Sequence, residues 1–471
     1  MLLRIIFEKG TLESVLERFL HHLDETDLIP SGAKVLVGYS GGADSTCLLH
    51  LLKMAGVDVY AAHLHHGMRP EADKELKLCQ AFCEEQEIPF ASGKADVLRM
   101  SSELRIGIEE AGRMARYNFL EQAVRRLECD FIATAHTRTD NVETILFNLV
   151  RGTGPQGLTG IPRVRQNIIR PLLPFSREET VAYCEANGLW FHNDPGNENL
   201  DFSRVRIRQR ISTELAIINP RFEEAIAKNS RIIDEEDRFL NGAAAAALEQ
   251  SEIVLNGDLA FLTKDVELAF SKNHLTSLPP VLFKRATRLA FQALGATLDY
   301  DQTELLAQEI PNSKGSLTAD GGIVVCEWDQ EKLHFRVLRP TEPFRFGITN
   351  PGETESEEFG WRITAIDRPS QSLPQNRSAL HVQLPKHQVR GDLYFRSNQS
   401  GDTIQPLGFD GTRKVSDLLS DSKLTHAARV RLPLICDFLG PIWIPGVCLS
   451  NRMYRGDDCS TVVELKFEPI H

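Results

Sequence analysis

Six consecutive residues, Ser40, Gly41, Gly42, Ala43, Asp44 and Ser45, carry the strongest chemical signal in this 471-residue chain. They follow a short apolar run, Val35, Leu36 and Val37, and precede Leu48, Leu49, Leu51 and Leu52 at helical spacing. Strand, glycine-rich turn and helix make an arrangement that holds phosphate. The glycines let the backbone approach an anion, and the first N–H groups of the helix point at it. Ser40 and Ser45 add hydroxyl donors. Asp44 has two readings: a cap on the helix, or a carboxylate that faces bound phosphates across a divalent cation such as Mg²⁺. The G-x-x-x-x-G-K-[ST] phosphate loop does not occur.

A second group, Ala135 to Thr144, contains His136, Asp140 and Glu143 and joins a strand end to a helix. The buried face of that helix is expected at Val142, Ile145, Leu146 and Leu149. His136 falls at a strand's carboxyl end, where open α/β sheets bind ligands. Asp140 and Glu143 suit a cationic substrate, and their spacing also fits a capping box. Upstream, the helical stripe Leu120, Ala123, Val124 and Leu127 extends back through Arg116 and Arg113. Two arginines on a core-facing stripe either meet an anion or pair with a carboxylate such as Glu109 or Glu110. The stretch 151–162 holds four glycines and two prolines and is expected to be an irregular loop over the sheet edge. Arg204, Arg206, Arg208 and Arg210 alternate, so they share a face in a strand and spread around a helix. His63, His65 and His66 match no usual zinc frame and read as a polar strand end lining a cleft.

These residues need a scaffold. A lead-in helix is expected at 11–23. Strands at 34–39, 58–64, near 89–92 and at 129–135 alternate with helices at 71–87 and 109–127, as in a doubly wound parallel sheet. Asn219 and Pro220 mark a helix start. Phe222, Ile226, Ile233 and Leu240 support a long helix, with further helices at 243–248, 280–295 and 301–309. Residues 341–384 read as a linker with a strand at 361–366. Short strands at 392–396, 434–438 and 441–444 then flank a helix at 415–421. The expected fold class is α/β: a Rossmann-like parallel sheet (1–215), a helical domain (216–340), and a linker with a small α+β C-terminal domain (341–471).

No run approaches a membrane span, and the N-terminus lacks a signal-peptide pattern. Nine cysteines without a C-x-x-C pair fit a reducing cytoplasm. The net charge of −12 argues against broad nonspecific binding to nucleic acid but permits local basic surfaces. Arg413, Lys414, Lys423, Arg429 and Arg431 form one candidate surface.

The hexapeptide resembles the SGGxDS pyrophosphate loop of ATP pyrophosphatases, which split ATP to AMP and pyrophosphate. Other motifs follow it in order: the glycine-arginine helix (Glu110 to Tyr117), the AHTRTDNVET stretch at 135–144, RGTGPQGLTGI at 151–161, and Arg170-Pro171-Leu172-Leu173. Next come Asp194-Pro195-Gly196-Asn197 and Arg204-Val205-Arg206-Ile207-Arg208. Together they look like the bacterial tRNA(Ile)-lysidine synthetase family. The segments 396–402, 411–419 and 442–446 resemble the C-terminal domain of its larger members. Nearly the whole chain is covered, although 241–390 is matched only by architecture. Family members often carry asparagine at Val205, a departure that leaves the arginines in place.

The resemblance implies that ATP adenylates carbon 2 of the wobble cytidine of a tRNA(Ile) with a CAU anticodon. Free L-lysine then attacks, giving lysidine and changing codon and amino-acid specificity from Met to Ile. Residues 40–45 would grip ATP, Asp44 would hold Mg²⁺, and His136 would contact nucleotide or base. Arg113 would stabilise charge on the α-phosphate or adenylated base, with Arg116 beside it. Asp140 and Glu143 would hold lysine, and Arg204, Arg206 and Arg208 would meet tRNA phosphates. A cytoplasmic enzyme with no membrane segment is expected; a homodimer is one open assembly. The rival readings are a tRNA thiolase with the same loop, and a non-catalytic nucleotide-sensing RNA-binding protein.

Overall fold

The computed structural model describes residues 14–65, 72–192, 203–339, 342–370, 376, 378–456 and 459–470. His66, the motif at 194–197 and the side chain of Arg204 lie outside the described residues. The chain forms two compact units, Met1–Asp237 and Arg238–His471.

The first unit is built on strands β1 (Lys34–Gly38), β2 (Asp58–His65), β3 (Phe90–Lys94), β4 (Phe131–Ala133), β5 (Val164–Arg165) and β6 (Ile168–Ile169). Their order is β3-β2-β1-β4-β6-β5, parallel except for the β5–β6 pair. Side chains on a strand alternate between faces, and β1 feeds two cores accordingly. Val35 and Val37 pack with Leu48, Cys83 and Phe175, while Leu36 packs with Leu120, Ala123 and Ile132. That alternation makes the sheet doubly wound. The chain leaves β1 toward β2 on one side and returns to β4 on the other. The carboxyl ends of β1 and β4 therefore flank the topological switch, where ligands bind in such sheets.

The helices of this unit are α1 (Val15–Thr26), α2 (Ala43–Met54), α3 (Ala72–Glu85), α4 (Val97–Leu104), α5 (Ile108–Leu127), α6 (Arg138–Val150), α7 (Pro155–Leu158) and α8 (Arg177–Ala186). α5 has Glu109 and Glu110 in its first turn and Arg125 and Arg126 in its last, which complements the helix dipole. α7 is one helical turn inside the stretch expected to be wholly irregular. It forms because Pro155 sits at its first position, where the missing N–H costs nothing. Leu149, expected on the buried face of α6, is 57% exposed. The arginine-rich segment is helical: α9 (Ser203–Arg206), a π-turn (Ile207–Ile211) and α10 (Ser212–Ile218). Helix α11 (Phe222–Ser251) unites the two helices expected at 222–248.

In the second unit, the expected helices are present as Pro280–Ala293 and Tyr300–Asn312. They cover an antiparallel sheet, absent from the sequence reading, of Glu267–Ser271, Lys332–Val337, Val324–Trp328 and Gly315–Ala319. The stretch taken for a linker is also folded. Trp361–Pro369 pairs with Thr461–Pro469 across nine residue pairs, and Trp361 is fully buried against Phe395. Leu259 and Leu262 join the same core, so the helical region and C-terminal part share apolar contacts. Among the described residues, no helix is long and apolar enough to cross a membrane.

Candidate active site

Residues 40–45 form the turn from β1 into α2. Gly42 is the N-cap of α2, and Asp44 lies in its first turn. The capping alternative for Asp44 therefore fails: the cap position belongs to Gly42, and no side chain caps this helix. Gly41 has φ +80°, and a Cβ there would meet Cys79 Sγ at 2.8 Å and His192 Nδ1 at 2.9 Å. Backbone conformation and crowding both demand glycine. The hydroxyls of Ser40 and Ser45 converge at 3.1 Å, and Ser45 Oγ donates to Gly42 O at 3.0 Å. His192 N–H donates to Gly41 O at 3.0 Å and fastens the loop from the far side.

A cavity of about 420 Å³ opens over this loop. Ser40, Asp44, His63, Arg116, His136 and Arg177 are among its walls. Arg116 projects into that space and not into the core. It keeps accessible area, yet surrounding protein lowers its pKa through burial. Arg113 stands one turn away, its guanidinium 5.6 Å from the centre of the Tyr117 ring. His136 Nδ1 lies 2.9 Å from Thr134 Oγ1. Burial, with Arg170, Arg116 and Arg113 nearby, lowers the His136 pKa against the opposing pull of Asp140, so the ring is neutral at pH 7. His63 Nδ1 meets Tyr39 O at 2.9 Å, and burial lowers its pKa too.

The carboxylates cluster beside the loop. Asp44 accepts from Thr180 Oγ1, and Arg177 Nη2 lies 3.8 Å from it. Burial raises the Asp44 pKa; Arg177 and Thr180 oppose that, while Asp140 adds to it. Asp140 and Glu143 do not form a capping box with each other. The box on α6 is Thr137 with Asp140: Asp140 Oδ2 accepts from Thr137 N and Thr137 Oγ1, each at 2.9 Å. Glu143 lies one turn further along, 2% exposed. Burial raises its pKa, and Arg208, donating through Nε and Nη2, opposes the rise.

The three arginines of this segment whose side chains are described thus part company. Arg206 and Arg210 are exposed, while Arg208 turns inward to the carboxylates. In the second unit, Arg431 is also tied down. It is 9% exposed and donates to Leu262 O and Asp265, so it belongs to the core and not to a basic surface.

Sequence reasoning missed Arg177, Thr180 and His192. The first two sit on α8, whose Ser176–Glu179 capping box gives it the signature of an ordinary surface helix. Arg170 opens the Arg-Pro-Leu-Leu motif. It is 4% exposed, donates to Pro162 O at 2.6 Å, and hydrogen-bonds Tyr117. Nothing in its local spacing signals burial. Among the described residues, no three His, Cys, Asp or Glu side chains gather as a metal site.

A parallel sheet with a glycine-rich serine–aspartate loop at its switch point defines the PP-loop class of ATP-utilising domains, and residues 12–215 match the model described as PP-loop domain. Residues 393–465 match the TilS substrate C-terminal domain. The tRNA(Ile)-lysidine synthase of Bacillus subtilis is 29% identical over 443 residues, covering 90% of this chain and 92% of its own. That of Dehalococcoides mccartyi is 28% identical over 479 residues, covering 96% and 98%. The bifunctional protein TilS/HprT of Listeria innocua is 29% identical over 459 residues, covering 93% and 68%. With both domains present in order, the chain belongs to the tRNA(Ile)-lysidine synthase family.

Proposed function

We infer that this protein is an ATP-dependent ligase that joins free L-lysine to carbon 2 of the wobble cytidine of a tRNA(Ile) with a CAU anticodon. One observation carries the reading at the level of geometry. The loop carboxylate Asp44 and the α6 carboxylates Asp140 and Glu143 lie in one electrostatic cluster with Arg177 and Arg208, beside a cavity lined by the phosphate loop. ATP and a diamine substrate need these neighbouring sites of opposite character.

In the first step the cytidine O2 attacks the α-phosphorus of ATP and pyrophosphate leaves. In the second, the lysine ε-amine attacks carbon 2, AMP leaves with the former O2, and the amine loses a proton. Residues 40–45 hold the leaving pyrophosphate through backbone N–H groups and two hydroxyls. Arg116, with Arg113 behind it, offsets charge on the α-phosphate or the adenylated base. His136, neutral, contacts nucleotide or base. Asp140 holds a lysine ammonium group and orients the attacking amine, while Glu143, expected to share that task, is buried against Arg208 and adds negative charge behind it. Asp44 suits Mg²⁺, which takes one or two carboxylates plus substrate phosphates. Once bound, such a cation would neutralise phosphate charge. Residues 1–215 carry the chemistry in this reading, while 216–340 and 341–471, with Arg204 and Arg206, hold tRNA; Arg208, expected to join them, is instead spent on Glu143. The setting is the cytoplasm.

The thiolase alternative needs a reactive thiolate. The cysteine nearest the loop glycine, Cys79, is fully buried, and burial pushes its thiol up to about 12. The deciding measurement is ATP-to-AMP turnover. It should require both tRNA(Ile) and lysine; turnover with tRNA and a sulfur donor, or none at all, would reject the ligase.

A further inference from the structure

The hairpin between Leu434–Asp437 and Gly440–Ile444 has an unusual tip. Small turns favour Gly, Asn, Asp and Ser. Here the two tip residues are apolar, and Phe438 is 82% and Leu439 61% exposed. The tip is firmly braced. Beneath it Asp437 is wholly buried, and its carboxylate accepts from Arg452 Nη1 and Nη2 at 3.0 and 2.8 Å. It also accepts from Leu439 N at 2.9 Å and Arg390 N at 3.1 Å. Phe438 N donates to Arg390 O at 2.8 Å. A third segment is fastened through Gln388 Nε2, which donates at 3.1 Å to the carbonyl of Tyr454, itself 61% exposed. Segments 386–390, 437–440 and 452–455 are thus tied together. They carry two exposed aromatic rings among the guanidinium groups of Arg390, Arg452 and Arg455.

We propose that this tip is a stacking platform for an unpaired base of the tRNA, with Phe438 against the base and Arg390 facing an adjoining phosphate. The proposal rests on tRNA being the substrate. The hydrogen bonds fix the backbone from which the Phe438 ring projects into solvent, and every base has a π-face. A protein partner would call for a contiguous apolar centre depleted of charge. Among the described residues, this surface instead offers only Phe438, Leu439 and Tyr454 as exposed large apolar side chains, beside the guanidinium of Arg390, while Arg452 is neutralised by Asp437.

The test uses the full-length protein with Phe438→Ala, Phe438→Tyr and Arg390→Gln, measuring tRNA affinity against salt together with KM for tRNA, ATP and lysine. Phe438→Ala should weaken tRNA binding about tenfold and raise KM for tRNA, leaving KM for lysine and ATP and the salt slope unchanged. Phe438→Tyr should restore binding. Arg390→Gln should flatten the salt slope by roughly 0.7 to 0.9, the value of one phosphate contact. Wild-type affinity in Phe438→Ala would overturn the proposal. So would a change in its sedimentation from oligomer to monomer, which would make the tip a self-association surface. If the wild-type protein bound no tRNA, the functional reading itself would fall.

Discussion

Arg208 reaches from the π-turn to Glu143 on α6, with Nη2 3.0 Å from one carboxylate oxygen, Nε on the other, and Asp140 Oδ1 3.7 Å away. The bond joins the arginine-rich segment to the helix that carries the proposed lysine site. Glu143 is almost fully buried and Arg208 only a quarter exposed, so neither charge is well hydrated alone. Removing one partner of such a pair strands the other. Glu143→Ala should lower unfolding free energy by about 3 kcal/mol, and Glu143→Leu combined with Arg208→Met by much less. Urea denaturation of the single and double variants measures this. Equal losses in both would mean that packing, not charge, holds the contact.

Asp44→Asn should keep the fold and abolish AMP formation at every Mg²⁺ concentration. Its carboxylate is not a helix cap, and its raised pKa reports a desolvated site that favours an incoming cation. Turnover near the wild-type level would leave Asp44 with only its contact to Thr180.

Asp140 has two separable duties. Through Oδ2 it closes the capping box with Thr137, and through Oδ1 it faces Arg208. Asp140→Asn should raise KM for lysine far more than KM for ATP. Thr137→Ala should cost roughly 1 kcal/mol of stability, typical of a lost N-cap, with lysine KM nearly unchanged. If both variants altered lysine KM equally, helix placement would account for the effect.

His136 predicts a pH effect of definite sign. Burial holds its pKa below the ordinary 6.5, down to about 4. As pH falls through 6.5, the unfolded chain takes up a proton that the folded ring resists. Stability is therefore full above pH 6.5 and declines between 6.5 and about 4. His22, also lowered to about 4 by burial, Arg163 and Arg231, acts in the same direction. Thermal melts should show Tm falling from pH 7 to pH 5, with a shallower fall in His136→Asn. An unchanged slope in that variant would assign the effect to His22 and other groups.

The local sequence alone determined the phosphate loop, the alternation of strands and helices around it, and the strand-end position of His136. Each rests on short-range physics: glycine's access to positive φ at Gly41, the apolar run that makes β1, and helical periodicity. Leu120, Ala123 and Val124 were legible as core for the same reason. Other features required the tertiary structure, because they depend on groups far apart in the chain. The box on α6 shifted to Thr137 and Asp140 because the helix begins at Arg138. Alternation in the sequence left Arg206, Arg208 and Arg210 equivalent; the helical winding and the buried Glu143 singled out Arg208. Arg177 and Thr180 lie over a hundred residues after Asp44 and reach it only because α8 packs on α2. The stretch at 341–384 was misread because its strands gain apolar cover from partners such as Thr461–Pro469, so its own charge and proline content says little about burial. Local propensity records what a segment prefers alone; which polar groups become desolvated, and by whom they are paired, is decided when distant segments close on one another.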